Sequence, residues 1–428
     1  MWRFLLDIIT DIKQQWVGLL DCNNFFVSCE RLFRPDLENK PVAVLSSNDG
    51  CIVARSQEIK DMEIPMGVPY FQVKDILKTN NAVVFSGNHR LYRTISKRVF
   101  ATMETVQNPI EQYSVDEAFF YFFGTEEEAR QQILMIKETV EKEVGVPVSV
   151  GISLSKTLAK VANEMNKKTT GLKLLDFEEW SQINLSYPLA SIWGIGRNFS
   201  KRLREDGLIS VSDFLAADPG RVRRLYGVVG ERIRQELQGI SVLSAKNREL
   251  KQSIMSSRSF GKETIALSVL EEAISYHVEQ VSYDLRQAGA CATKVAVFIS
   301  PSRHGDFVLQ SRYGERDFLA PISTTRDIGV IAIQLLRELY VTGVPYKKAG
   351  VRVSGIQPFA VQQLSLFTPV AKKIPDPLQS TIDVVNRRFK TGRIHQGFLE
   401  GARKYSAIAN QQSPAYTTSW GELPVVKA

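Results

Sequence analysis

The chain has 428 residues, 44% of them apolar, which is enough for two to four domains with full-sized cores. No apolar run approaches the roughly 20 residues of a membrane span. Cys22, Cys29, Cys51 and Cys291 form no CxxC pair and read as reduced cytosolic thiols, while four scattered histidines assemble no local metal or catalytic site. With 54 Lys and Arg against 46 Asp and Glu, the net charge of +8 suits a polyanionic partner.

Residues 1–16 are expected to be an extension ahead of the first strand. Phe4, Leu5, Ile8, Ile9, Ile12 and Trp16 would share one helical face, but Asp7 and Asp11 interrupt any signal-peptide core. From residue 17 strands alternate with helices. Val17–Asp21 and Pro41–Leu45 read as strands, followed by a hairpin around Asp116. Glu126–Glu143 is a charged helix, Val146–Ile152 an apolar strand and Ser155–Lys167 a helix that Ser155 can cap. This is an α+β pattern with helices packed on one mostly antiparallel sheet. The residues between the first strand and the hairpin suggest an inserted subdomain.

Near residue 186 the texture changes. Trp193-Gly194-Ile195-Gly196 opens a basic helical stretch with Arg197, Lys201, Arg202 and Arg204, and Asp218-Pro219-Gly220 precedes Arg221, Arg223 and Arg224. A Gly-hydrophobic-Gly turn exposes backbone N–H groups that can hold phosphate oxygens; it also serves as a plain tight turn beside a solvated basic face. Residues 250–356 read as strand, helix, strand, strand, helix, strand, with helices at Ser268–Ala288 and Thr324–Tyr340 and strands including Ala292–Ile299 and Ala349–Ile356. Basic residues, Arg258 among them, punctuate this unit, whose open sheet face could follow a nucleic-acid backbone. Beyond residue 357 the pattern dissolves into Gln, Pro, Ser and Thr, as in an extended tail.

The strongest chemical signal is Asp116-Glu117, flanked by Ile110 and Tyr113 on one side and Ala118 to Phe123 on the other. Two buried strands joined by a turn would place both acids at that turn. Asp21 closes the apolar run Val17-Gly18-Leu19-Leu20. Carboxylates beside such buried sheets are costly unless a cation meets them. Hard divalent metals bind these oxygens, and paired metals drive phosphoryl and nucleotidyl transfer.

Four segments in order carry a family resemblance: Asp21-Cys22-Asn23-Asn24-Phe25-Phe26-Val27-Ser28-Cys29-Glu30, Tyr113–Phe119, Gly151–Ala159 and Trp193–Gly196. With them the chain resembles the Y-family translesion DNA polymerases, and most closely their UmuC type, from Val17 to the C-terminus. The resemblance implies a multidomain α+β right-hand polymerase: a palm over 17–185 with small fingers inserted at about 26–87, and a helical thumb with a helix-hairpin-helix over 186–245. A βαββαβ-like little finger over 246–356 and an extended C-terminal tail over 357–428 would complete it. The implied activity is error-prone, template-directed DNA synthesis across damaged template in the SOS response, without proofreading.

By the same resemblance, Asp21, Asp116, Glu117 and the main-chain carbonyl of Cys22 would bind two Mg²⁺ ions. Phe26, five residues past Asp21 and next to Phe25, matches the steric gate against a ribose 2′-hydroxyl, with an ordinary core Phe as the alternative. Phe25, Lys60 and Lys156 would complete the nucleotide site, although an exposed Lys60 has a bland reading too, and Gln57 stands where Tyr is frequent. Gly194, Gly196, Arg197, Lys201 and Arg258 would contact DNA. Gln363-Leu364-Ser365-Leu366-Phe367 resembles the pentapeptide that binds the bacterial β sliding clamp. The other implied partners are a processed UmuD-type dimer and the RecA filament, in a bacterial, cytoplasmic and nucleoid-associated setting. Two competing readings are a nucleotide cyclase, which needs no basic DNA track, and a DNA- or clamp-binding scaffold with a decayed site, which would not keep Asp21, Asp116, Glu117 and Lys156.

Overall fold

The run Trp16-Val17-Gly18-Leu19-Leu20 is apolar on both faces, and only a central strand can bury such a run. In the computed structural model it lies within β1 (Gln14–Cys22), which pairs antiparallel with β6 (Glu117–Gly124) on one side and β7 (Val148–Ser153) on the other. β5 (Ile110–Gln112) and β8 (Leu172–Leu174) complete a sheet of order β5-β6-β1-β7-β8, in which only β7 and β8 run parallel. The structure describes residues 13–167, 169–243, 250–302, 310–359, 376–388, 394 and 409–423.

Alternation along β1 supplies two faces. Trp16 and Leu20 join a large core with Ile95 and Val99 of the helix His89–Val106 and Ile133 and Ile136 of the helix Glu126–Val144. Val17 and Leu19 face the other way, onto Phe119 and Ala159. There the helix Lys156–Asn166 lies directly on β7, because a Cβ on Gly151 would sit 2.4 Å from the Asn163 backbone nitrogen and 2.6 Å from the Ala159 carbonyl oxygen. Ser155 caps this helix by accepting from the Leu158 N–H at 3.3 Å.

Between β1 and β5 the chain builds a separate sheet from β2 (Val42–Leu45), β3 (Ile52–Arg55) and β4 (Val83–Ser86), in the order β3-β2-β4. Ala43, Leu45, Ile52, Ile59, Val73 and Leu77 give it a small core of its own. The helices Arg197–Glu205, Val211–Ala216 and Pro219–Leu237 pack around Leu203, Phe214, Val222 and Ile233.

The chain divides into two units, Met1–Lys246 with Ala409–Ala428, and Asn247–Ile408. In the second, β9 (Ser253–Thr264), β10 (Ala290–Pro301), β11 (Arg312–Ile322) and β12 (Tyr346–Pro358) form an antiparallel sheet of order β11-β10-β12-β9. The helices Leu267–Gln287 and Thr325–Leu339 cover its apolar face. Among the described residues no helix is long and apolar enough to cross a membrane.

Two expectations are corrected. The first strand begins at Gln14, so an extension ending at residue 16 is too long. Trp16 is not on a helical face: it is 1% exposed, and its indole N–H donates to the Gly124 carbonyl at 3.1 Å. Nor is the C-terminal stretch wholly extended. Pro377–Arg388 is a helix, held by the Arg286–Asp383 ion pair at 2.6 Å, and Asn410–Glu422 packs against the first unit. Low hydrophobicity concealed both, since each segment is fixed by a few polar contacts rather than an apolar stripe. The pentapeptide Gln363–Phe367 lies outside the described residues.

Candidate active site

The turn between β5 and β6 is built by one hydroxyl. Ser114 Oγ accepts from the backbone N–H of Asp116 at 3.2 Å and of Glu117 at 3.1 Å, while donating to the Asp116 carboxylate. The Cys22 N–H donates to the Asp116 carbonyl at 2.9 Å, tying the end of β1 to this turn. Asp21 then stands directly opposite Glu117 in the antiparallel register. Like charges so placed repel, and two ammonium groups answer them. Lys160 Nζ lies 2.5 Å from Glu117, and Lys167 Nζ 3.2 Å from Asp21.

The electrostatics follow from burial. Desolvation lifts the Asp21 carboxyl from 3.8 to about 6; Lys167 opposes this, and Glu117 and Asp116 add to it. Desolvation also works against the Lys167 ammonium, yet the Asp21 and Glu164 charges hold its pKa above the ordinary lysine value. The partners of this ion pair are therefore shifted in the same direction. We take burial to dominate at the carboxylate, because its side chain is 13% exposed against 34% for the lysine. Asp21 is a carboxylate with too little positive charge around it.

Lys160 is further fixed by aromatic faces, with its ammonium 4.8 Å from the Tyr113 ring centroid and 5.3 Å from that of Trp193. Trp193 also donates its indole N–H to the Tyr113 hydroxyl at 3.3 Å, joining the Gly194-containing turn to the carboxylate hairpin. Gly194 adopts φ +91°, and Gly196 stands at the N-terminus of the helix Arg197–Glu205, whose Arg197 and Lys201 are exposed. In the other unit, the Arg258 guanidinium sits 5.7 Å from the Tyr276 ring centroid.

A cleft of ≈ 720 Å³ opens beside Asp21, bounded also by Asn24, Gln57, Lys60, Glu164 and Lys167. Its volume is in the range that takes a nucleotide-sized ligand. Phe26 is half-buried nearby in sequence, stacked on Tyr92 with ring centroids 4.3 Å apart and planes 15° off parallel.

Two residues expected at the nucleotide are buried. Lys156 is 3% exposed; its ammonium is 2.6 Å from Glu111 and 5.1 Å from the Phe119 ring centroid, so it ties the helix to β5. Phe25 is 3% exposed, with its ring packed inside the main core. Sequence reading missed Lys160, Lys167 and Ser114. The signal was present, since Lys156, Lys160 and Lys167 recur at helical spacing on one face, but periodicity alone does not tell which ammonium reaches which carboxylate.

Among the described residues no three His, Cys, Asp or Glu side chains are gathered into a metal-holding group. Lysine ammonium groups sit against Asp21 and Glu117. The donor set itself, hard carboxylate oxygens with a raised Asp21 pKa, fits a divalent cation that exchanges for an ammonium.

The comparisons with known proteins agree with this architecture. Residues 20–164 match the impB/mucB/samB family, residues 251–366 its C-terminal domain, and residues 376–426 a domain of unknown function. The chain is 34% identical to protein SamB of Salmonella typhimurium over 96% of its own length and 99% of that protein. It is 32% identical to protein UmuC of Salmonella typhimurium strain LT2, over 96% of this chain and 100% of that one. A solved Y-family DNA polymerase chimera, Dbh-Dpo4-Dbh, superposes with a TM-score of 0.66 at 19% identity, covering 80% of this chain and 99% of its own. Family match, relatives and fold together make this a DNA-directed DNA polymerase of the Y-family class. Within that class the chain belongs to the impB/mucB/samB family, the UmuC-type enzymes of error-prone translesion synthesis.

Proposed function

We propose that Asp21, Asp116 and Glu117 form the nucleotidyl-transfer centre, with the Cys22 carbonyl as a further ligand, and that the cation is Mg²⁺, two ions per site. The observation that carries this is the register that sets Asp21 against Glu117 beside a nucleotide-sized cleft, each acid held by a lysine. Two bound Mg²⁺ would favour ionisation of the primer 3′-hydroxyl and neutralise the triphosphate and the leaving pyrophosphate. The protein's own part is positional. Its carboxylates would hold the cations whose positive charge the triphosphate needs, and Lys167 would exchange Asp21 for a phosphate oxygen. Lys60 lines the same cleft. Phe26 acts as the gate beneath the sugar, rejecting a 2′-hydroxyl.

In this reading residues 14–185 are palm with the inserted β3-β2-β4 sheet as fingers, 186–245 thumb and 246–356 little finger, with Gly194, Gly196, Arg197, Lys201 and Arg258 on DNA. The partners are primer-template DNA and dNTPs, a processed UmuD-type dimer, the RecA filament and, through Gln363–Phe367, the β sliding clamp. The setting is the bacterial cytoplasm, at the nucleoid, during the SOS response. Each protein partner is tested by leaving it out of a reconstituted extension assay; omitting the clamp should shorten the products.

The two lysines separate geometry from resemblance. Steady-state insertion of one dNTP should show KM raised about tenfold by Lys167→Ala and changed less than about twofold by Lys156→Met. The reverse pattern would return the triphosphate to Lys156 and contradict the assignment of Lys167.

A further inference from the structure

Glu30 is fully buried at 0% exposure in the helix Phe25–Arg31, one helical turn beyond Phe26. A carboxylate there is costly unless hydrogen bonds satisfy it. Only two side-chain hydroxyls donate to it among the described residues. Tyr92 reaches Oε1 at 2.7 Å, and Ser413 reaches the same oxygen at 3.1 Å, while Oε2 has no hydrogen-bond partner. Ser413 comes from the far end of the chain and is itself 8% exposed.

Independent contacts seat this C-terminal segment. The Asn410 N–H donates to the Asp49 carboxylate at 3.1 Å, and Gln412 forms a parallel bridge with Ser86 at the end of β4. Asn88 Nδ2 donates to Ser413 Oγ at 3.0 Å, orienting the hydroxyl so that its proton points to Glu30. Tyr416 stacks on Phe33 with centroids 4.6 Å apart and planes 9° off parallel. From Glu30 the arrangement continues through the Tyr92 hydroxyl to the Tyr92 ring, which is 1% exposed and stacked on Phe26 at 4.3 Å, with His89 edge-on to Phe26 at 5.7 Å.

We propose that the C-terminal segment Asn410–Tyr416 positions the sugar gate, with Ser413 acting through Glu30 and Tyr92 on the ring of Phe26. The inference rests on reading Phe26 as that gate. Its physical basis is the scarcity of donors. Without the Ser413 hydroxyl, the buried Glu30 carboxylate keeps a single donor and draws the Tyr92 hydroxyl fully to itself or takes up a proton. Either response shifts the Tyr92 ring, and a stacked ring follows its partner. Ser413 is a positioning residue and touches no nucleotide. The C-terminal segment would thereby report its own docking to the site that chooses between deoxyribose and ribose.

The test is insertion by the full-length chain, measuring kcat and KM for a dNTP and the matching rNTP with Ser413→Ala, Ser413→Thr and Phe26→Ala. Ser413→Ala should raise the rNTP-to-dNTP ratio of kcat/KM about five- to tenfold through a lower rNTP KM, with dNTP insertion within about twofold of wild type. Ser413→Thr keeps the hydroxyl and should restore the wild-type ratio. If Phe26→Ala raises the ratio but Ser413→Ala does not, the gate stands and the positioning role is overturned. If neither changes it, the gate reading itself fails and takes this inference with it. An equal loss of dNTP and rNTP insertion in Ser413→Ala, unrescued by Thr, would also overturn it, because a merely structural role lowers both.

Discussion

Asp21 carries the most telling conflict at the scale of single residues. Burial outweighs Lys167 there and holds its pKa near 6. A folded pKa raised above the ordinary 3.8 means that the proton stabilises the fold at low pH, and that this contribution is lost as the pH rises through about 6. A divalent cation reverses the preference, because it binds the ionised form. Mg²⁺ affinity, read from the metal dependence of single-nucleotide insertion, should therefore be level above about pH 7 and weaken up to about tenfold per unit below about pH 6. Affinity that stays level down to about pH 5 would contradict the raised pKa. The three acids were legible in the sequence because burying carboxylates between apolar strands needs a strong reason. The lysine assignment was not. Lys156, Lys160 and Lys167 share a face, yet the fold pairs the first with Glu111 and only the last two with Glu117 and Asp21.

At the scale of elements, the helix Lys156–Asn166 is seated by its contact with β7. Gly151 lets the helix backbone rest on the strand, and Asn163 Nδ2 donates to the carbonyls of Leu19 and Ser149, spanning β1 and β7. Backbone rather than a flexible side chain faces Gly151, so an added methyl cannot be absorbed locally. Gly151→Ala should cost about 1–3 kcal/mol in chemical denaturation, more than Gly196→Ala, whose added Cβ meets nothing within 4 Å. Equal stability for the two variants would show that the helix does not depend on this contact. Most elements could be read from periodicity: the helix read over Glu126–Glu143 and found over Glu126–Val144, the β5–β6 hairpin and the strand-helix order of the second unit. What periodicity hid was β1 starting at Gln14 and the docking of Asn410–Tyr416. The first is fixed by pairing with residues more than a hundred positions away, the second by hydrogen bonds to Asp49, Ser86, Asn88 and Glu30.

At the scale of the whole molecule, a four-stranded sheet with two helices forms one unit, and the carboxylate-bearing sheet forms another that also includes the last described residues of the chain. One unit thus holds both β1, which supplies Asp21, and Ser413, which supplies a donor to Glu30. The central claim is that this site performs metal-dependent DNA synthesis on damaged template through Asp21, Asp116 and Glu117. The most direct test is primer extension opposite an abasic site by the full-length chain, supplied with Mg²⁺, dNTPs, a processed UmuD-type dimer, activated RecA and the sliding clamp. The account predicts Mg²⁺-dependent products past the lesion that Asp116→Ala abolishes; extension that persists in Asp116→Ala, or none from the wild-type chain with every partner present, would contradict it.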